Sequence, residues 1–497
     1  MKRLAMFCLL ASSFAYAYAQ IKSVPLDTNF TQNELKVSPN FTSQILFQKE
    51  EKVVKLDGKT APAKGKFDFM AYWQKDSTTA TLWVNHETGL ADKILGDGGG
   101  ATLLDLEYRE NKWYVTQTPR AVDFSSLGGT YYNCLGAATP WGTVLTSEEN
   151  PPVNNAEFIK NGWQDTSDYD LKPLWKNFGW MVEVDIKTGK AIQKVWGMGR
   201  YSHEGAFCLP DSQTVFLADD YAPGMFFKFV AEKKGDLSKG TLFAYKQSLD
   251  GKKGEWIALG NDENTLLNAR DSALSKGCTF FIRLEDIEQM KDGRFLITET
   301  GIDEVDMTDA VKLGGKPAMH LKPYTAANNM YRDFYGRILV YDPKTEQISV
   351  FLQGGMAAKK HDIVLGNPDN MAIDFKRNVL VIHEDCNGTS RDRVPDYARH
   401  GANNSEDYTN EVFLLDLQLK TPTLDSLKRI IIAPKGSETT GGVFSTDFQH
   451  YFFNIQHPSS KNPFPYNKDA TVVITGFDRI LPKEEPKKEE KKEEPKK

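Results

Sequence analysis

The sequence predicts an all-β protein, a six-bladed β-propeller with long inserted loops and a few short helices. Three observations predict it. Short apolar runs recur along the chain, and each ends in a pair of polar, mostly acidic residues. From the polar start to the polar end of a unit the interval is 14 or 15 residues, from Cys134 to Glu148, Glu204 to Asp219, Glu285 to Glu299 and Asp369 to Glu384. That is the length of two short strands and a turn. Successive units lie about 60 to 85 residues apart, which leaves room for a four-stranded blade and its loops. Repetition of this kind, with polar strand ends aimed at one edge, is how a propeller lines its central channel.

The unit is clearest at 283–300. It opens on Arg283-Leu284-Glu285-Asp286, turns at Asp292-Gly293 and closes on Phe295-Leu296-Ile297 before Glu299. Asp-Gly between two such runs is a hairpin signal, so Glu285 and Glu299 are expected at one rim. The same grammar links Asn133-Cys134 to Glu148-Glu149, His203-Glu204 to Asp219-Asp220, Asp369-Asn370 to Glu384-Asp385 and Glu438 to Gln456-His457. Near the N-terminus Leu82-Trp83-Val84 ends at His86-Glu87.

Taken in order, residues 20–47 are polar and mixed and are expected to wrap the outside of the fold. Residues 66–73 and 80–86 read as the first hairpin, and 112–117 and 143–146 continue in strand style. Residues 149–175, with Pro151, Pro152 and Pro173 and no clean period, read as an inserted loop over one face. Residues 180–185 alternate, turn at 187–190 and lead into a strand at 191–196. Residues 225–230 and 241–246 suit outer strands. Residues 267–275 are the best helical stretch. Residues 337–342 and 347–352 form a hairpin around Pro343-Lys344-Thr345, and 412–417 and 428–433 follow the same style. No G-x-G-x-x-G or Walker pattern is present, so a dinucleotide or P-loop reading has no support.

The first 19 residues carry Lys2-Arg3, an apolar run at 4–10 and the small-residue end Ala17-Tyr18-Ala19. That is a secretory signal, cleaved after Ala19, and it places the mature protein in the periplasm or outside the cell. Residues 20–481 then form a single propeller domain. The last 16 residues, 482–497, are almost all Lys, Glu and Pro and have nothing to bury. No second long apolar stretch follows the signal, so no transmembrane segment is expected. The formal net charge is −6 with no basic face, which argues against a nucleic-acid partner. Cys8 leaves with the signal. Cys134, Cys208, Cys278 and Cys386 remain, enough for one or two disulfides in an exported protein or for small buried thiols. Cys134 stands apart, because it lies in the polar loop of a unit, where a thiolate can ligate a metal.

Carboxylates converging on one channel repel each other and require protons or cations between them. Oxygen donors in such number favour Ca²⁺, Mn²⁺ or Fe³⁺ over Zn²⁺, and the thiolate of Cys134 tilts one position toward a transition metal. Arg283, two residues before Glu285, offers a planar fork for an anion, and phosphate fits it. Cations together with an arginine fork suit a phosphate ester.

Here the residues also carry a family resemblance. N-C-L-G-A-A-T-P-W-G-T-V-L-T-S-E-E-N at 133–150 resembles the hallmark block of PhoX-type alkaline phosphatases. V-N-H-E at 84–87, S-H-E-G at 202–205, R-L-E-D at 283–286, N-P-D-N-M-A-I-D at 367–374 and N-I-Q-H-P at 454–458 resemble further blocks of that family in the same order, so the likeness spans about 65–458. It implies an exported six-bladed propeller that uses iron and calcium at the channel mouth to hydrolyse small-molecule phosphate monoesters in phosphate acquisition. It implies Cys134 as an iron ligand, Glu204, Glu285 and Asp385 as metal ligands, and Arg283 on the phosphate. Glu148, Glu149 and Asp220 follow as further iron or calcium ligands, and Asn133 as an aid to substrate binding, so that Arg283, Cys134 and Asn133 form the expected catalytic set. A monomer is expected. Members are commonly exported folded by the twin-arginine route, whereas Lys2-Arg3 and a short apolar core read as Sec export, with metals loaded outside the cytoplasm. The alternatives from the residues alone are a calcium-dependent propeller lactonase or phosphodiesterase, or a secreted propeller that binds a partner without catalysis.

Overall fold

A computed structural model describes residues 26, 33–163, 174–324, 328–360, 362–386 and 409–480. The expected signal, the Lys/Glu/Pro tail and part of the expected 149–175 insertion lie outside them. The described chain is all-β with few short helices, and its sheets are arranged as a propeller. Each sheet is built outward from a hairpin. The hairpins are β1 (Phe67–Gln74) with β2 (Thr79–His86), β3 (Asn133–Ala138) with β4 (Thr143–Glu148), β5 (His203–Cys208) with β6 (Thr214–Asp219), β7 (Leu284–Gln289) with β8 (Phe295–Glu299), β9 (Pro368–Asp374) with β10 (Val379–Glu384), and β11 (Glu438–Phe444) with β12 (His450–Gln456). The expected turns hold them: Asp76, Asp211 and Asp292 accept backbone N–H bonds from residues two or three further on, which is why short Asp-led loops sit here.

Outside each hairpin further strands are added, Met181–Asp185 and Lys190–Lys194 beyond β4, and Arg337–Asp342 and Gln347–Gln353 beyond β8. The first strands β1, β3, β5, β7 and β9 each stand beside the next in the series, β9 stands beside β11, and β11 stands beside β1. The apolar core fills the spaces between neighbouring sheets rather than one centre. Trp83 and Leu103 pack with Val144 and Val182, Leu296 and Ile338 pack with Met371 and Leu380, and Val381 and Leu414 pack with Phe453 and Val472. Both faces of the second strands β2, β4, β6, β8, β10 and β12 are covered, so these strands read as near-continuous apolar runs.

The N-terminal segment does not simply wrap the outside. Thr42–Gln48 is the outermost strand beyond β12, paired with Ala470–Thr475, so the two ends of the described chain close one sheet together. Exclusion of Phe47 from solvent drives this docking. The helix expected over 267–275 is present as Ala269–Ser275, preceded by Glu263–Leu267, which Asp262 caps through the N–H of Thr265 at 3.0 Å. Among the described residues no disulfide is present, and Cys134, Cys208, Cys278 and Cys386 are all buried. Among the described residues no helix is long and apolar enough to cross a membrane.

Candidate metal centre

One local device repeats in β1, β3, β5, β7 and β9. The first residue of each strand pairs with the last residue of its partner: Phe67 with His86, Asn133 with Glu148, His203 with Asp219, Leu284 with Glu299 and Pro368 with Glu384. The register then shifts, so that the next two residues oppose one. Such a bulge re-aims a side chain out of the sheet. The residue at its first position is Asp68, Cys134, Glu204, Glu285 or Asp369 in turn. In β11 the shift comes later, after Thr440, and the acidic residue is Glu438 at the start of the strand.

These side chains meet. Donor atoms of Cys134, Glu149 and Glu204 lie within 4.8 Å of one another, as do those of Glu204, Glu285 and Asp369, and those of Asp369, Asp385 and Glu438. Glu204 and Asp369 are shared, so the three groups form one continuous chain of donors. Cys134 Sγ is 2.9 Å from Glu204 Oε1 and 3.3 Å from Asp68 Oδ2, and its one proton serves one of them at a time. Asp68 Oδ1 and Glu204 Oε2 are buried with no hydrogen-bond partner among the described residues.

The electrostatics are those of uncompensated anions. Burial, followed by the nearby carboxylates, pushes Glu204, Glu149 and Asp369 well above the ordinary carboxylate range. Burial and Glu87 do the same to Asp68, burial and Asp220 to Glu285, and burial and Asp385 to Glu438. Burial and Asp68 push the Cys134 thiol up as well. A site of this kind holds either protons or cations. The orphaned oxygens and the mixed set of one thiol and many carboxylates fit metal ions, hard ones throughout and a softer one at Cys134.

Of the residues expected from sequence, Cys134, Glu149, Glu204, Glu285 and Asp385 come together here. Arg283 and Asp220 lie at the rim as a pair. Arg283 Nε is 2.8 Å from Asp220 Oδ1, and its Nη2 is 3.1 Å from Asp220 Oδ2 and 3.0 Å from Glu285 Oε1. Arg283 sits at φ 57°, and its backbone N–H and carbonyl bond Tyr221 and Thr300.

Glu148 and Asn133 are not part of the cluster, and both expectations are corrected. Glu148 accepts the N–H groups of Tyr131, Gly179 and Trp180 and takes Lys194 Nζ at 2.9 Å. Asn133 accepts the N–H of Gly100 at 2.7 Å and donates to Thr146 at 2.9 Å. Both therefore hold backbone. The same is true of the other strand ends. Asp219 is bound by Arg270, Glu299 by His320 and Arg337, and Glu384 by the N–H groups of Gly366 and Glu411. Glu299 does share the rim with Glu285, as the hairpin requires, but it serves structure. Burial lowers His86 to about 3, so it remains a neutral partner of Gly65 and Thr102.

Asp68, Asp369, Glu438 and Lys66 are the residues at the site that sequence reasoning left out of the ligand and binding set. Their signal was positional. Asp68 and Asp369 stand one residue into an inner strand, as Cys134, Glu204 and Glu285 do.

The pattern that defines the alkaline phosphatase PhoX family matches residues 109–459. Among solved structures the chain is similar to Pseudomonas fluorescens PhoX in complex with vanadate, a transition state analogue, at 20% identity and TM-score 0.71, covering 93% of this chain and 98% of that one. Trypanosoma rangeli sialidase in complex with sialic acid matches at 8% identity and TM-score 0.38 over 89% of this chain and 59% of that one. Virginiamycin B lyase from Staphylococcus aureus matches at 8% and 0.37 over 89% and 99%. These two are too distant to carry an argument. No curated protein sequence matches the chain. The shared pattern spans most of the inner strands and the cluster they carry, and on it the chain belongs to the alkaline phosphatase PhoX family and is a phosphatase.

Proposed function

We propose that the chain is an exported, metal-dependent alkaline phosphatase that hydrolyses phosphate monoesters to inorganic phosphate, with iron and calcium at the mouth of a six-bladed propeller. The observation that carries this reading is the unbroken chain of donors from Cys134 through Glu204 and Asp369 to Glu438. Six blades are supported by the sequence of neighbouring inner strands, β1, β3, β5, β7, β9 and β11, with β11 beside β1. Export is supported by the signal pattern of residues 1–19.

The donor set suggests the division of ions. Cys134, Glu149 and Glu204, with one soft donor, would hold iron. Asp369, Asp385 and Glu438, all oxygen, would hold calcium. Glu204, Glu285 and Asp369 form the group that lies between these two and would serve a cation there. Such ions supply charge neutralisation and Lewis acidity at the phosphoryl oxygens.

The chain's own residues do the remaining work. Asp220 and Glu285 take Nε and Nη2 of the planar Arg283 fork, which leaves Nη1 to donate to the phosphoryl oxygens and to stabilise their charge in the transition state. Asp220 and Glu285 hold that fork in place before the substrate arrives, so little reorganisation remains at the moment of reaction. The buried inner strands keep bulk water from the donors, which strengthens every charge interaction there.

Elemental analysis of the purified protein, run beside p-nitrophenyl phosphate turnover on the same sample, tests the reading. Iron and calcium with turnover are expected. Calcium alone with no turnover of a monoester would overturn it.

A further inference from the structure

Lys66 and Arg283 hold the same position in two different sheets. Each immediately precedes an inner strand, β1 and β7, in the left-handed backbone region, at φ 56° and 57°. Each offers its carbonyl to the residue that follows the hairpin's second strand, Lys66 to the N–H of Glu87 at 2.8 Å and Arg283 to that of Thr300 at 2.9 Å. Tyr132 and Asn367 hold the same left-handed position before β3 and β9, at φ 48° each, so the position repeats around the channel and Lys66 and Arg283 are the two cations in it. Along the series of neighbouring inner strands, β3 and β5 separate β1 from β7 on one side and β9 and β11 on the other. The two cations therefore flank the donor chain from opposite sides.

They are held differently. Arg283 is fixed by two carboxylates at contact distance. Lys66 Nζ donates to Gln456 Oε1 at 3.2 Å, and among the described residues no carboxylate pairs with it directly. Glu87, Glu438, Asp469 and Asp385 act on it from further away. Gln456 passes the contact on, donating to Asp68 Oδ2 at 3.0 Å. An ammonium carries three N–H donors, so Lys66, half-buried at the mouth, retains donors for an oxyanion.

We propose that Lys66 is a second phosphate-binding cation, contacting the phosphoryl oxygens of the substrate from the side opposite Arg283. This rests on the reading of the channel mouth as the phosphate site. Two cations on opposite sides grip a tetrahedral anion at different oxygens, which fixes its orientation as well as its presence.

The test uses the full, metal-replete protein and its Lys66→Met, Lys66→Arg and Arg283→Met variants. KM and kcat for p-nitrophenyl phosphate, the inhibition constant of inorganic phosphate and the metal content are measured for each. Lys66→Met is expected to keep its metals and to raise both KM and the inhibition constant by about 10- to 100-fold, with a smaller change in kcat, as loss of a charged hydrogen bond requires. Lys66→Arg is expected to recover most of the loss. Loss of metal from Lys66→Met would overturn the assignment, because Lys66 would then serve the donors rather than the substrate. Phosphate inhibition that changes in Arg283→Met and not in Lys66→Met overturns the Lys66 assignment alone. Inhibition unchanged in both variants overturns the phosphate site itself, and this assignment with it.

Discussion

Cys134 Sγ lies 2.9 Å from Glu204 Oε1, although 70 positions separate the two residues in the chain. Each sits at the first position of a bulge in neighbouring inner strands, and the bulges turn both side chains to a common point. Placing the thiol among carboxylates raises its proton affinity in the metal-free protein, through burial first and Asp68 and Glu204 after it. A thiolate therefore forms there when a bound cation displaces the proton.

Replacement of Cys134 tests the division of ions directly. Cys134→Ser keeps a polar donor of similar size but not a soft one. It is expected to retain calcium, lose iron and reduce kcat by at least about 10²-fold, the scale of losing a first charge-stabilising group at such a site. Elemental analysis and turnover on one sample check this, and full iron occupancy in the serine variant would move iron to another donor group.

Arg283 and Asp220 make the next prediction. Arg283→Lys keeps the charge and loses the fork that reaches both oxygens of Asp220. Turnover efficiency is expected to fall by about 10²-fold with the metal content unchanged. Asp220→Asn is expected to give a smaller loss, because Glu285 still holds Nη2. Steady-state kinetics with p-nitrophenyl phosphate separate the two, and equal losses would show that Asp220 does more than hold the arginine.

The Glu148–Lys194 pair is buried at both ends, with side chains 0% and 1% exposed. Lys194→Met removes the cation and leaves Glu148 among backbone N–H groups with an uncompensated charge. The expected cost is about 3–5 kcal/mol of stability. The folded fraction should bind its full complement of metal, since neither residue belongs to the donor chain. Denaturant titration and metal analysis of the folded fraction check both halves.

That pair also marks what the sequence could carry. The acidic hairpin ends were legible as a repeating feature, and the repeat led to the propeller and to Cys134, while Glu204, Glu285 and Asp385 were picked out from the other acidic ends by the family resemblance. Which acid in each pair faces the channel was not legible. Glu148 and Glu149 are neighbours of one type, yet the first closes the ladder against Asn133 while the second reaches Cys134. A bulge decides this, and a bulge is a register shift between two strands that neither strand announces alone. Asp68 was passed over for the same reason, because Phe67-Asp68-Phe69 reads as ordinary alternation until the shift after Phe67 is seen. The pairing of Thr42–Gln48 with Ala470–Thr475 joins residues at opposite ends of the chain, and no local pattern encodes it.

Removal of the metals makes the last prediction. In the metal-free protein Asp68, Glu149, Glu204, Glu285, Asp369 and Glu438 all take protons more readily than in the unfolded chain, through burial and mutual repulsion. Above the ordinary carboxylate range the folded state then binds more protons than the unfolded state, so stability falls as the pH rises through the raised values. His86, His203 and His383 act the other way, since burial holds each at about 3, but their contribution is complete above the ordinary histidine range. Above the ordinary histidine range the carboxylates alone of these two sets set the slope. Chelator-treated protein is expected to melt at a lower temperature at pH 8.5 than at pH 7, and metal-replete protein to show little difference. Glu204→Gln removes the anion shared by two donor groups, so the chelator-treated variant should lose less stability over the same interval. Calorimetric melting curves of the three samples at both pH values decide it, and a metal-free wild type that gains stability toward pH 8.5 would show that the cluster is not held together by cations.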